Sequence, residues 1–276
     1  MALNPRLDEL LVQRGLFPTL HDAQAAVLAG DVVVGDHRET SAGRRVKADT
    51  CVRLKAGKEK DRLGFASRGG GKLDAALKAF SFDPAGMRCA DLGCSTGGFT
   101  DCLLQHGAAS VSAIDVGYAE FDWRLRNDPR VKLFERTNVR GIDVASVGGP
   151  FELVVADLSF IRLEQVLCDV CRLLQEQGTF IALVKPQFEV AKEDVGPGGV
   201  VSDVALHEQA LMQVAAACEE HGLAPSALAF SPVQGPKGNI EFLLMARKGP
   251  FEDAPAPIGQ DDIREVVASA HDALGG

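Results

Sequence analysis

The fold is decided by Asp91-Leu92-Gly93-Cys94-Ser95-Thr96-Gly97-Gly98-Phe99-Thr100-Asp101. The segment before it, residues 87–90, is short and mainly apolar, and residues 99–106 after it carry apolar side chains at helical spacing. This pattern predicts a strand that ends at Asp91, a glycine turn and a helix. Together they open a βαβ unit of the kind that binds a nucleotide-like ligand.

The turn selects its ligand by charge. Dinucleotide-binding folds use Gly-x-Gly-x-x-Gly, so that backbone N–H groups and the helix N-terminus meet a pyrophosphate. This chain has Gly-x-x-x-Gly-Gly, and Asp91 stands where it would repel a phosphate. A second acid, Asp115, ends the next apolar strand, where such folds place the acid that binds ribose hydroxyls. The pair favours S-adenosylmethionine, which has a cationic end and a ribose, over NAD(P); an ordinary turn with two solvated acids is the alternative.

Bulk composition predicts one large domain and one small domain in the 276 residues. No apolar run approaches the roughly 18 residues of a membrane span, and the first residues lack a signal-like apolar core. The seven cysteines are an odd number scattered through apolar segments, which is typical of a reducing compartment. We therefore expect a cytoplasmic protein that does not bind membranes. No metal site is predicted, because the six histidines show no ligand spacing.

Charge is divided unevenly along the chain. The net charge of −9 argues against nucleic-acid binding, but residues 1–60 sum to +2 and residues 61–276 to −11. The basic bias therefore lies in the N-terminal part, where contacts with RNA would begin.

Residues 1–58 are predicted to form a small α+β domain. Helices are expected over 7–12 and 22–28, and strands at 32–34 and 52–54. Asp22 is expected to cap the second helix or to lie in its first turn. Three glycines are expected to follow a charged linker at 59–66 and to precede a helix at 73–80, which would aim Lys72 from a loop.

The N-terminal part contains Arg6-Leu7-Asp8, an alanine-rich second helix and the pattern Gly-x-Val-x-Val at 30–34. In these features it resembles the small S-four RNA-binding domain that is shared with a ribosomal small-subunit protein. The family opens its second helix with Ser-Arg, whereas this chain has Leu20-His21-Asp22. Arg44, Arg45 and Lys47 remain as basic contacts, and a packing domain without RNA contact is the alternative.

Residues 67–249 alternate apolar strands and amphipathic helices, which is typical of a doubly wound α/β sheet. Strands are predicted near 87–91, 111–115, 131–134, 153–157, 179–184, 227–231 and 240–246, and helices near 73–80, 98–106, 119–126, 160–174 and 203–221. The connection at 234–239 is too short for a helical crossover, so the last two strands must form an antiparallel hairpin. One reversed strand in a Rossmann-like sheet is the topology of class I SAM-dependent methyltransferases. Residues 250–276 are predicted as an acidic linker and a helix that docks on the domain or on a partner.

Strand direction gathers four charged side chains at one edge of the predicted sheet. Asp157 and Lys185 follow the fourth and fifth strands, and Glu241 begins the reversed strand, which brings it to the same edge. Lys72 reaches this edge through its glycines. Buried charges at strand ends are costly unless they are paired, so four charged side chains at one edge indicate a functional site. The alternative is that they are ordinary solvent-exposed charges at the edge of the sheet.

With these motifs assembled, the sequence resembles the TlyA family, which joins the S-four-like domain to an FtsJ/RrmJ-type methyltransferase and includes members called haemolysins. The resemblance rests on the motifs at 67–73, 91–101, 135–140, 157–161 and 184–189. It implies methylation of a ribose 2′-hydroxyl in ribosomal RNA, with Lys72, Asp157, Lys185 and Glu241 as the catalytic tetrad. The donor-binding residues are then expected to be Asp91, Gly93, Cys94, Ser95, Thr96, Gly97, Gly98, Phe99, Asp115, Val116, Asn138 and Asp157, with Asn138 beside the adenine.

The expected reaction is in-line methyl transfer from S-adenosylmethionine to the ribose oxygen. Lys185 is expected to orient and deprotonate the hydroxyl, helped by the like charge of Lys72, while Asp157 and Glu241 hold both amines. Ribosomal RNA or ribosomal subunits are the expected partners. A non-catalytic RNA-binding or ribosome-assembly protein is the alternative function, and an NAD(P) oxidoreductase is disfavoured because the dinucleotide glycine pattern is absent.

Overall fold

A computed structural model describes residues 4–14, 17, 19–35, 37–47, 50, 52–54, 64–235, 237–251 and 256–274. Most of the expected linker at 59–66 lies outside these residues. The predicted boundaries of the N-terminal domain (1–58), the linker (59–66), the large domain (67–249) and the C-terminal segment (250–276) therefore stay predictions.

The N-terminal unit, by which we mean the described residues between 4 and 54, packs two helices against a small sheet. Its elements are α1 (Leu7–Gln13), α2 (Leu20–Leu28), β1 (Val32–Val34), β2 (His37–Glu39) and β3 (Val52–Leu54), and the sheet is antiparallel in the order β2-β1-β3. β2 was not expected, because His37-Arg38-Glu39 shows no apolar alternation. Thr19 caps α2 by accepting a hydrogen bond from the Asp22 backbone N–H, so Asp22 lies in the first turn.

A seven-stranded sheet forms the centre of the large unit. Its strands are β4 (Arg88–Leu92), β5 (Ser110–Ile114), β6 (Val131–Phe134), β7 (Phe151–Ala156), β8 (Leu174–Val184), β9 (Leu223–Phe230) and β10 (Phe242–Lys248). The order is β6-β5-β4-β7-β8-β10-β9, and β10 runs antiparallel to both of its neighbours. The expected hairpin and the single reversed strand are therefore confirmed.

Helices cover both faces of this sheet. They are α3 (Arg68–Ala79), α4 (Gly98–Gln105), α5 (Trp123–Arg126), α6 (Glu164–Leu173), α7 (Pro186–Glu189), α8 (Val204–Glu220) and α9 (Gln260–Leu274). The core on one face joins the sheet to α6, α8 and α9, and the core on the other joins it to α3 and α4. Ile263, Val267 and Ala270 of α9 are buried in the first core, so the C-terminal helix docks on its own chain.

The glycines before Lys72 lie inside α3, which corrects the expected loop. The helix begins at Arg68 rather than near Leu73. A Cβ on Gly70 would lie 2.9 Å from the backbone oxygen of Gly98, the first residue of α4. The helices approach this closely because neither residue carries a side chain at the contact, and this packing offsets the low helix propensity of glycine.

Candidate active site

The turn between β4 and α4, residues 93–97, needs glycine at two positions for steric reasons. Gly93 and Gly97 adopt φ values of +80° and +91°. A Cβ on Gly93 would lie 2.7 Å from the Asp157 backbone oxygen, and one on Gly97 would lie 2.5 Å from Leu125 Cδ1. Both residues therefore have a backbone conformation and a neighbour that exclude a side chain. We call residues 93–97 the donor turn.

Asp91 is a buried carboxylate with one free oxygen. Its Oδ2 accepts a hydrogen bond from Thr100 Oγ1 at 2.6 Å, and its Oδ1 has no partner among the described residues. Burial raises the pKa of the Asp91 carboxyl to about 7, against the lowering effect of its hydrogen bonds with Thr100. A buried, unsatisfied acceptor at a glycine turn fits a ligand that brings a cationic N–H donor.

Asp115 follows β5, and backbone groups fix its side chain. Its Oδ2 accepts from the Ser95 N–H at 2.7 Å and its Oδ1 from the Gly117 N–H at 2.6 Å. Each carboxylate oxygen keeps a second lone pair, so the group retains capacity for ribose hydroxyls.

Two lysine–carboxylate pairs lie at the edge of the sheet. Lys72 Nζ contacts Glu241 Oε2, and both side chains are buried. Lys185 Nζ lies 2.6 Å from Asp157 Oδ1 and donates to Ser159 Oγ at 2.9 Å. Each lysine thus has its own acid.

Two adjoining cavities collect these groups. One of about 300 Å³ is lined by Lys72, Asp157 and residues 93–96 of the donor turn, and one of about 850 Å³ is lined by all four charged residues of the two pairs. Lys72, Gly93, Ser95 and Asp157 line both cavities. A ligand at the donor turn would therefore lie next to the charged pairs.

The other expected donor-binding residues fall into two groups. Cys94, Thr96, Gly98 and Phe99 line the smaller cavity together with Gly93 and Ser95. The described residues that form the two cavities do not include Asp91, Gly97, Asp115, Val116 or Asn138. Val116 is 69% exposed, and Asn138 is exposed, with its Oδ1 accepting from the Arg140 N–H. Contacts of Val116 and Asn138 with a donor stay predictions.

Sequence reasoning missed several residues of the larger cavity. Phe160 is 91% exposed, has a φ of +65°, and lies against the Phe188 ring at a centroid distance of 5.2 Å. Asn239 is buried and joins two loops through hydrogen bonds with Val201 and Gly199. The signal available for Phe160 and Ser159 was their place directly after Asp157. Nothing in the local sequence indicated Asn239, whose partners lie about 40 positions away.

The described residues contain neither a cluster of metal ligands nor a membrane-spanning helix. Among the described residues, no three His, Cys, Asp or Glu side chains come together as metal ligands. Within the described segments, no helix has the length and apolar character that crossing a bilayer requires.

The reversed β10 in a Rossmann-like sheet, the glycine turn and the buried acid before it define a class I methyltransferase. The chain belongs to the family of FtsJ-like methyltransferases, whose model matches residues 65–248. S-adenosylmethionine is the methyl donor of such a protein, and the free oxygen of Asp91 fits its cationic end.

Particular relatives resemble nearly the whole chain. The 16S/23S rRNA (cytidine-2′-O)-methyltransferase TlyA of Mycobacterium tuberculosis is 43% identical over 90% of this chain and 91% of its own. A presumed rRNA methyltransferase of Bacillus subtilis, YqxC, is 39% identical over 98% of this chain and 95% of its own. A solved structure of a presumed hemolysin from Streptococcus thermophilus is 38% identical, with a TM-score of 0.73 over 100% of this chain and 98% of that one.

Proposed function

We propose that this chain transfers a methyl group from S-adenosylmethionine to a ribose 2′-hydroxyl of ribosomal RNA. The observation that carries the proposal is the pair of lysine–carboxylate contacts on cavities that adjoin the donor turn. The name of the mycobacterial relative specifies the same reaction type on 16S and 23S rRNA.

Asp91 and Asp115 hold the two ends of the donor in this proposal. The free Oδ1 of Asp91 accepts from the cationic amino end, and Asp115 accepts from the ribose hydroxyls. The donor supplies a methyl group on a positively charged sulfur, which makes that carbon reactive toward an oxygen nucleophile. The remaining backbone contacts come from the donor turn, whose shape depends on the positive φ values of Gly93 and Gly97.

Lys185 orients the acceptor hydroxyl and takes its proton. Its amine contacts Asp157 and Ser159, and Lys185 also lines the larger cavity, where the acceptor ribose would bind. As the ribose oxygen bonds to the methyl carbon, the bond from that carbon to the donor sulfur breaks and S-adenosylhomocysteine leaves. The hydroxyl proton passes to Lys185 Nζ in its unprotonated amine form and then to solvent. Alignment of the hydroxyl over the methyl group provides much of the rate.

Lys72 and Glu241 form a second, buried pair beside the same cavities. The Lys72 ammonium donates toward the acceptor nucleotide, while Glu241 compensates that charge where both side chains are buried. The pair is therefore assigned to positioning and electrostatics, and Lys185 to proton transfer.

The exposed aromatic surface of the larger cavity suits an unpaired nucleotide. Phe160 and Phe188 present adjacent rings, and Lys185 Nζ lies 5.9 Å from the Phe188 centroid. Aromatic side chains stack on the bases of single-stranded RNA, and each stacked base contributes about 1–3 kcal/mol. A base on this surface would bring its ribose toward Lys185.

The N-terminal unit is assigned to RNA contact. Arg44, Arg45 and Lys47 are exposed on it, although Arg44 also pairs with Glu39. Ribosomal subunits are the proposed partners, and the cytoplasm is the compartment in which they are met.

The proposal is tested by transfer of a labelled methyl group to ribosomal subunits that lack the modification. Lys185→Ala is expected to abolish transfer and to leave S-adenosylmethionine affinity within about twofold. Lys185→Arg keeps the positive charge beside Asp157 but cannot accept a proton near neutral pH, so it should be equally inactive. Activity of Lys185→Arg near the wild-type rate would refute the role of Lys185 as base. Absence of transfer by the wild-type chain would favour the non-catalytic alternative.

A further inference from the structure

The segment 117–126, which we call the docking segment, contacts the N-terminal unit on one side. The Trp123 ring packs edge-to-face on Phe17, with centroids 5.3 Å apart and planes at 70°, and it joins the apolar core of that unit. The Tyr118 ring lies 6.1 Å from the His21 ring. Phe17 and His21 thus contact the same short segment of the large unit.

The other side of the docking segment contacts the donor site. Phe121 and Leu125 are buried against Gly97, and the Asp122 N–H donates to the Thr96 oxygen at 3.2 Å. The Gly117 N–H donates to Asp115 Oδ1 at 2.6 Å. The donor turn and the ribose-binding acid therefore both take part of their support from this segment.

We propose that Trp123 is a positioning residue through which the N-terminal unit controls the conformation of the donor turn. Binding of RNA and binding of the donor are coupled in this way. The inference rests on the proposed function, because it takes the N-terminal unit as an RNA-binding part. Trp123 is not among the described residues that line the two cavities. It acts through α5, whose Leu125 packs on Gly97.

Close packing between α5 and the donor turn would pass a movement of α5 on to the turn. Because a Cβ on Gly97 would lie 2.5 Å from Leu125 Cδ1, α5 and the donor turn have no free space between them. A small rotation of α5 therefore either moves the turn or opens a gap beside it. Reciprocity then requires that RNA on the N-terminal unit change donor affinity by the same factor as donor changes RNA affinity.

The first test measures donor-site affinity without RNA. S-adenosylhomocysteine, the product of the donor, is titrated into the full chain by calorimetry. Trp123→Ala is expected to weaken binding about 3- to 10-fold, and Trp123→Phe, which keeps a ring against Phe17, is expected to stay within about twofold. Leu28→Ala is the control, since Leu28 is 60% exposed on α2. Wild-type affinity in Trp123→Ala would overturn the proposal.

The second test measures coupling, which a merely structural role would not change. Affinity for in vitro transcripts of 16S and 23S rRNA is measured with and without saturating S-adenosylhomocysteine. The ratio of RNA affinity with S-adenosylhomocysteine to RNA affinity without it is expected to be about 3 or more for the wild-type chain and its preferred transcript. For Trp123→Ala the same ratio is expected to be near 1. A wild-type ratio of 1, or an unchanged ratio in Trp123→Ala, would overturn the coupling.

A further variant, His21→Ala, keeps the proposal testable if Trp123→Ala unfolds the N-terminal unit. His21→Ala removes only an exposed ring from the Tyr118 contact, so it should lower the ratio without shifting the melting temperature. A ratio that stays at the wild-type value in His21→Ala, with Trp123→Ala unfolded, would also overturn the proposal. Failure of both transcripts to bind would overturn the coupling alone, because methyl transfer to intact subunits tests the proposed function separately.

Discussion

Replacement of Asp91 by Asn should weaken binding of the donor, and it should change the free energy of unfolding by an amount that depends on pH. Asp91 is fully buried, and burial raises its pKa from 3.8 to about 7. The native state therefore binds more protons than the unfolded state between these values, and the stability of the wild-type chain falls as pH rises through that window. An asparagine side chain cannot ionise, so this loss is absent from the Asp91→Asn variant.

The magnitude follows from the two pKa values. One pKa unit corresponds to about 1.4 kcal/mol, so the raised pKa of Asp91 lowers the free energy of unfolding by about 1.7 kcal/mol at pH 5, where mainly the unfolded chain is ionised, and by about 4 kcal/mol at pH 8. Asn also brings an amide NH₂ group to the position of the free Oδ1, where a buried donor without a partner costs about 1–3 kcal/mol. That second cost is the same at both pH values. The free energy of unfolding of Asp91→Asn, taken relative to that of the wild type, should therefore rise by about 2.5 kcal/mol between pH 5 and pH 8, whatever the size of the second cost.

Two measurements check the Asp91 prediction. Urea denaturation at pH 5 and pH 8 gives the free energy of unfolding of both chains, and calorimetry gives S-adenosylmethionine affinity over the same range. Wild-type affinity should rise as pH passes 7, because the cationic amino end binds the carboxylate form, and the Asp91→Asn variant should bind weakly at every pH. A difference in unfolding free energy that does not change with pH would refute the buried-charge argument. Undiminished affinity in Asp91→Asn would refute the assigned contact.

Three further predictions concern stability and follow from local packing. Gly70→Ala should destabilise the chain by about 2–3 kcal/mol, because its Cβ would meet Phe65, while Gly71→Ala in the same helix has open space and should stabilise it by about 0.5–1 kcal/mol; thermal unfolding of both variants decides this. Asn239→Ala should cost about 2–3 kcal/mol in urea denaturation, because two backbone groups of the loop before α8 lose their partner, and an unchanged midpoint would contradict it. Glu189→Gln should become progressively more stable than wild type from pH 5 to pH 8 in the same assay, because burial raises the Glu189 pKa to about 7, and parallel stability curves would argue against this.

The sheet could be predicted from sequence because its signals are local. Apolar strands that end on acids, the glycine turn and the short connection before β10 each lie within about ten residues, and together they fix the order of elements and the reversed strand. The start of α3 could not be predicted in this way. Its glycines disfavour helix locally, and only their contact with Gly98, remote in sequence, makes the helical conformation favourable.

Part of the site could be predicted by strand direction and part could not. Asp157, Lys185 and Glu241 meet because the ends of neighbouring strands share an edge. The pairing of Lys72 with Glu241, and of Lys185 with Asp157, depends on side-chain geometry across more than one element. Docking of Trp123 on Phe17 likewise joins two units, and no spacing rule within one element predicts such a contact.

Stability alone does not explain the charged edge of the sheet, which is itself an argument for function. A buried lysine–carboxylate pair is often no more stabilising than apolar residues of similar volume, so Lys72–Glu241 has no advantage for folding alone. Asp91 adds a buried acceptor without a partner among the described residues, and Phe160 adds an exposed ring on a residue with positive φ. Independent costs that lie on or directly beside one pair of cavities are expected where a bound ligand supplies the missing contacts. A cationic donor at Asp91 and a nucleotide at Phe160 would offset those costs, whereas a protein that only packs or assembles would gain nothing from them.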